Sequence, residues 1–112
     1  MAAPTPEEVL GPNGTQDLST ITIDKNDLSA YGLTPAETNS PEAIAASLVF
    51  FWLESLTREK QAESPLDRKI RFEEWTSGSY KIAGNQYYER AYLVYLRKPV
   101  ASFDLAAGDF DS

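Results

Sequence analysis

SPEAIAASLVFFWLESLTREKQ, residues 40–61, holds the densest apolar run of the chain, Leu48-Val49-Phe50-Phe51-Trp52-Leu53, and its reading decides the fold. Ser40 is a good N-cap, because a hydroxyl there accepts a bond from a free N–H of the first turn. Pro41 falls at the first helical position, where a missing N–H costs nothing. Glu42 sits at the positive end of the helix dipole, and Arg58 and Lys60 at the negative end. Ala43, Ala45 and Ala46 favour helix. The pattern predicts one helix over residues 41–61.

On a helical wheel Ile44, Ala45, Leu48, Val49, Trp52 and Leu56 form one broad stripe, with Phe51 and Leu53 at its edges. Phe50 lies about half a turn from the centre of that stripe. Single apolar side chains in water are common on protein surfaces. The other reading is that Phe50 meets a second subunit or a tail of the same chain. Exposure of a large aromatic forgoes about 2 kcal/mol of burial, which favours contact.

Downstream, Pro65 ends the helix within a turn over residues 62–66. In the strand that follows, Ile70 and Phe72 share one face and Arg71 and Glu73 the other. Trp75 then comes one place late, predicting a bulge near Glu73-Glu74. Ala83-Gly84-Asn85-Gln86 is a tight reversal, with glycine supplying a positive φ. The return strand, residues 87–97, is apolar on both faces: Tyr88, Tyr92, Val94 and Leu96 on one, Tyr87, Ala91, Leu93 and Tyr95 on the other. Pro99 ends it by removing a donor.

Upstream, residues 20–24 alternate β-branched side chains and fit a short strand with Ile21 and Ile23 inward. Asp24 caps a short helix over 25–31, with Asp27 three residues on and Gly32 as its stop. Thr34-Pro35-Ala36-Glu37 is a second capping pattern, predicting one helical turn. Residues 1–19, rich in Pro, Gly, Asn and acids, read as an extended arm whose one apolar pair is Val9-Leu10. Residues 99–112 read as an acidic tail anchored by Phe103, Leu105 and Phe110.

The predicted architecture is α+β: a single domain over residues 20–98, its long helix lying on a small antiparallel sheet that ends in a long β-hairpin, with extended arms at both ends. At 112 residues there is room for one modest core. Three strands cannot close a sheet, so at least one edge stays open.

Composition narrows the chemistry. The chain has neither cysteine nor histidine, which removes disulfides, thiolate metal sites and the commonest general base. Glu73, Glu74 and Asp67 make a poor acid pair, because adjacent strand residues point to opposite faces. Asp104, Asp109 and Asp111 lack the alternating ligand loop of a calcium site. No glycine-rich loop joins a strand to a helix, so no phosphate cradle, and no cofactor, is expected. The start of the sequence has no signal-peptide pattern, and no apolar segment reaches membrane-spanning length. The expected location is the cytoplasm or a particle assembled there.

The net charge of −7 is uneven: residues 1–57 carry one base and eight acids, residues 58–98 nine bases and six acids. That basic half makes the hairpin a candidate for single-stranded nucleic acid or peptide, using Arg71, Tyr80, Lys81, Tyr88 and Arg90. Interleaved acids argue against nucleic acid and for a half-buried strand pair with salt-bridged charges.

The stretch ITIDKNDLSAYGLTPAETNSPEAIAASLVFF, residues 21–51, resembles small structural proteins encoded by cyanophages and phage-like cyanobacterial loci. In those, a short strand, an "sLxxyGLTPxxxNxxExixxxl" segment and a Tyr-rich final hairpin recur. The matching residues are Leu28, Tyr31, Gly32, Leu33, Thr34, Pro35, Asn39 and Glu42, with the hairpin from Tyr80 to Leu96. The run Phe50-Phe51-Trp52 is bulkier than that pattern. The resemblance, over residues 20–97, implies a virion subunit: a capsid cement, neck or tail component, present in many copies and bound to its own kind or to other virion proteins. It carries no site residues across. The residues themselves suggest Val9, Leu10, Phe50, Trp52, Phe103 and Phe110 as the interface, and no enzymatic activity.

Overall fold

The computed structural model describes residues 3–99 and 104–111. In chain order these form helix α1 (Pro6–Leu10), strands β1 (Thr15–Gln16) and β2 (Ile21–Thr22), a 3-10 helix over Lys25–Tyr31, helices α2 (Pro41–Ser55) and α3 (Arg58–Glu63), strands β3 (Ile70–Ile82) and β4 (Asn85–Leu96), and a 3-10 turn over Ala107–Phe110. The chain is α+β, as the sequence predicts. Its strands, however, make two separate two-stranded antiparallel sheets, β1–β2 and β3–β4.

The central helix starts where expected, with the Ser40 hydroxyl accepting the Ala43 N–H at 3.1 Å. It ends early. Helix α2 stops at Ser55, Leu56 leaves helical geometry (φ −115°, ψ 66°), and Thr57 caps the separate helix α3 by accepting the Lys60 N–H at 3.2 Å. The break frees the Leu56 carbonyl, which accepts the Phe72 N–H of β3 at 2.8 Å. A kink that looks like a defect in the helix is thus its attachment to the hairpin.

The buried line of α2 is rotated from the predicted stripe. It runs through Ser47, Phe51 and Ser55, with Leu48 and Trp52 half-buried beside it and Ala45 exposed. Small serines at the contact let neighbouring backbones approach. Ser47 returns its hydroxyl to the Ile44 carbonyl at 2.8 Å, so its burial leaves no orphaned donor. Phe51 joins Leu28 and Leu33 in the core, flanked by Ile23, Tyr31, Leu48 and Trp52. Trp52 extends this packing to the sheet, its ring centroid 5.7 Å from that of Phe72.

The 3-10 helix has the predicted ends: Asp24 accepts the Asn26 N–H, and Gly32 stops it in the left-handed region at φ 95°. Asp27 does not complete a capping box. Its carboxylate accepts both the Asn13 backbone N–H (2.8 Å) and the Asn13 side-chain amide (2.7 Å), folding the N-terminal segment back. Residues 34–37 form no helical turn. Asn39 takes their place as organiser, accepting from the Ala36 N–H and donating to the Thr34 carbonyl. The strand expected at 20–24 shrinks to Ile21–Thr22, and Ile21 is exposed rather than inward.

The N-terminal residues are not an extended arm throughout. Thr5 and Glu8 form a reciprocal capping box around α1. Glu8 then anchors that helix, accepting from Arg68 at 2.9 Å and from Lys60 at 3.1 Å. In the C-terminal tail, Asp109 accepts the Ala106 N–H and the Lys98 ammonium. Phe103 lies outside the described residues.

The hairpin is the longest feature. Trp75 is the unpaired residue of a bulge between Glu74 and Thr76, one place beyond the predicted position. Ile82 pairs with Asn85 across a two-residue loop, Ala83-Gly84, with φ of 50° and 86°. Positive φ at both positions is the type I′ turn that matches strand twist. The Cα radius of gyration is 16.5 Å. A compact chain of this length has about 13 Å.

Candidate functional site

The hairpin divides at its bulge. Below it, β3 is packed: Phe72 meets Trp52, and Arg71 places its guanidinium 3.7 Å from the Tyr95 ring centroid while donating to Gln61 of α3 at 2.7 Å. Above it, every residue of β3 from Trp75 to the turn is exposed, as is β4 from Asn85 to Arg90. Trp75, Tyr88 and Ile82 are 66 %, 64 % and 53 % exposed. These residues stand on both faces of the ribbon, so no single docked helix in this chain covers them.

The two strands differ in a way that matters more than their side chains. In a two-residue hairpin the pair flanking the turn exchanges both backbone bonds, and such pairs alternate along the ladder. Asn85, Tyr87, Glu89, Ala91, Leu93 and Tyr95 therefore bond inward to β3. The Arg97 N–H, two places further, does bond the Lys69 carbonyl at 3.0 Å, which fixes this parity through the bulge. Gln86, Tyr88, Arg90, Tyr92, Val94 and Leu96 turn their N–H and C=O groups outward. The outer edge of β3 is capped at its base by the Leu56 carbonyl on Phe72, whereas among the described residues nothing bonds the outer edge of β4.

Electrostatics in the hairpin are closed internally. Arg90 bonds Glu74 at 3.0 Å and donates twice to the Tyr88 hydroxyl, at 3.0 and 3.2 Å. Its bonds with Tyr88 and Tyr92, with the Glu74 charge behind them, raise the Arg90 pKa. The Tyr88 hydroxyl is lowered by its bonds with Ser77 and Arg90. Tyr80 donates to Glu89 at 3.1 Å, which raises its pKa, and its ring stacks on Tyr87. Arg71 also donates to Glu73 at 3.2 Å. Of the residues suited to nucleic acid, Lys81 and Tyr88 have no acid bonded to them among the described residues, and Tyr88 is held by Arg90 instead. Glu73 and Glu74 point to opposite faces, toward Arg71 and Arg90 respectively, and form no acid pair.

No family profile matches the chain, nor does any characterised protein or solved structure.

The residues suggested as an interface fall into three places. Trp52 is turned inward, its indole N–H donating to the Val9 carbonyl at 2.9 Å while Ser55 donates to the Glu8 carbonyl at 2.6 Å. Val9 and Leu10 of α1 are accordingly half-buried against α2. Phe110 shares with Val9, Ile70, Leu96 and Leu105 an open cleft at the base of the hairpin, of about 790 Å³. Phe50 remains 43 % exposed, in a groove with Leu53, Arg58, Phe72 and Tyr92, its ring edge-on to Tyr92 at 6.3 Å. The hairpin itself covers half of Phe50, which the helical wheel could not say. That one edge would be open was expected; which residues of β4 present it escaped side-chain reasoning, because that is a property of backbone parity. The signal for it was the spacing of a two-residue loop.

Among the described residues no three acidic side chains gather as a metal site. No helix there is long and apolar enough to cross a membrane.

Proposed function

We propose that this chain is a non-enzymatic structural subunit that acts by assembling with copies of itself and with neighbouring proteins of a virion, as a capsid cement, neck or tail component. One observation carries the assembling part: the chain exposes 8245 Å². A folded monomer of 12.4 kDa exposes about 6,100 Å². The surplus is about 2,000 Å², and the hairpin, bare on both faces beyond its bulge, contributes to it. A standard interface takes about 800 Å² from each partner, so the surplus is enough for at least one contact and more. The virion setting is supported by the resemblance of residues 20–97 to small cyanophage structural proteins.

Nucleic-acid binding gains no support from the hairpin, since Arg71, Arg90 and Tyr80 are already engaged by Glu73, Glu74 and Glu89. Light scattering on the purified chain at high micromolar concentration tests the assembly reading. A dimer or larger species is expected, and a 12.4 kDa monomer at all concentrations contradicts it. Mass spectrometry of purified particles from the genome encoding the chain tests the setting, with many copies per particle expected.

A further inference from the structure

Two-stranded ribbons are marginal in water, and a third strand or a covering layer is what stabilises them. In this chain the helices lean on β3, and the outer edge of β4 offers a row of backbone groups, from Gln86 to Leu96, with no partner among the described residues. Natural edges are blunted by prolines, bulges or inward charges. Strand β4 has no proline and no bulge through its twelve residues, the bulge lying on β3 instead, and its two charged side chains, Glu89 and Arg90, are held by Tyr80 and Glu74 within the hairpin. Exposed aromatic and β-branched side chains, Tyr88 and Val94 among them, flank this edge.

We propose that the edge of β4 pairs with the same edge of a second copy, antiparallel about a two-fold axis at Ala91, giving one continuous four-stranded sheet. This rests on the self-assembly reading above and specifies its contact. A second copy is favoured because the surplus area on one chain suffices for a dimer, and because the strand is complementary to itself in one register.

Only outward-facing residues can bond across the new seam, so Gln86, Tyr88, Arg90, Tyr92, Val94 and Leu96 must pair among themselves. Two such registers overlap eleven residues of each strand, 85–95 about Arg90 and 86–96 about Ala91. Centring on Arg90 sets that guanidinium directly against its symmetry mate, which is destabilising. Centring on Ala91 avoids this. It sets Arg90 beside the partner's Tyr92, Tyr88 beside the partner's Val94 and Tyr87 beside the partner's Tyr95. Aromatic and β-branched pairs of this kind are favourable across strands, and Arg90 over a tyrosine ring is a cation–π contact. Glu74 stays on Arg90 and neutralises it at the seam. Shifting one further step, to a Tyr92 centre, shortens the overlap at the hairpin tip. Because a two-fold normal to the sheet keeps its faces, both copies of α2 lie on one side, with Phe50 bordering the seam through Tyr92.

The chain has no cysteine, so single cysteines report this register directly. Ala91 is a non-hydrogen-bonded position at the axis, where facing Cα atoms are about 4.5 Å apart, within reach of a disulfide. Full-length Ala91→Cys is expected to form a covalent dimer under mild oxidation, and Glu89→Cys is expected to remain largely uncross-linked. Tyr88→Pro removes an outward N–H while leaving the β3–β4 ladder intact. It is expected to convert the dimer seen by sedimentation to a monomer with unchanged far-ultraviolet circular dichroism. An oligomeric wild-type chain together with cross-linking of Glu89→Cys rather than Ala91→Cys, or of neither variant, overturns the seam and leaves the assembly reading standing. A wild-type chain that is monomeric at high concentration, its edge reserved for a different protein, overturns both.

Discussion

Ala83 is the one described non-glycine residue with positive φ, at 50°, and it occupies the first loop position of a turn that demands positive φ twice. Left-handed backbone costs an alanine about 1 kcal/mol, whereas asparagine tolerates it through local hydrogen bonding. Ala83→Asn recreates the Asn-Gly pair that type I′ turns prefer. It is expected to raise stability by about 0.5–1 kcal/mol, read as a higher urea midpoint at unchanged slope. A lower midpoint would mean that the loop relaxes in solution to another turn type. The reversal was legible from Gly84; the demand on Ala83 was not, since it follows only once Ile82 and Asn85 are known to pair.

At the scale of elements, helix α1 shows why half the architecture could be read from sequence and half could not. Capping signals held at Ser40, Asp24 and Gly32, which mark helix ends as expected, and failed at Thr34 and Asp27, whose neighbourhoods are organised by Asn39 and Asn13 instead. What also failed was the assumption that an apolar run is a helix's inner face. Ser47 and Ser55 are buried because α1 and the core crowd close, and hydroxyls with internal acceptors cost little there. Helix α1 has five residues, too few to be stable alone, and it holds through Glu8. Burial opposes ionisation of that carboxyl, but bonds from Arg68, from the Thr5 N–H and from Lys60 outweigh it and lower its pKa from 4.5 to about 2. A folded-state pKa below the unfolded one stabilises the fold fully above about 4.5 and loses that contribution as pH falls toward 2. Glu8→Gln is therefore expected to cost about 2 kcal/mol at neutral pH, in line with a partly buried ion pair, and almost nothing at pH 2. Denaturant titrations of both proteins across that range check it. A constant difference at every pH would assign the loss to packing rather than to the charge.

For the whole molecule, the core of Leu28, Leu33, Phe51 and Leu56 is small against the surface it must support. The sequence foretold an open sheet edge and a strand apolar on both sides, and those two properties survive in β4 although the three-stranded sheet does not. The helix break at Leu56 explains the outcome: it commits the helices to one edge of the hairpin and leaves the other bare. A chain built this way should draw part of its stability from association. Binding a second copy in the folded state alone makes the melting temperature rise with protein concentration. A tenfold increase supplies about 1.4 kcal/mol per mole of dimer, roughly half of it for each chain. That corresponds to about 3 °C for a domain of this size. Calorimetric scans over two decades of concentration are expected to show this rise for the wild-type chain and none for Tyr88→Pro. Should both melt at concentration-independent temperatures, the small core is sufficient by itself, and the bare edge of β4 contributes nothing to stability in the isolated protein.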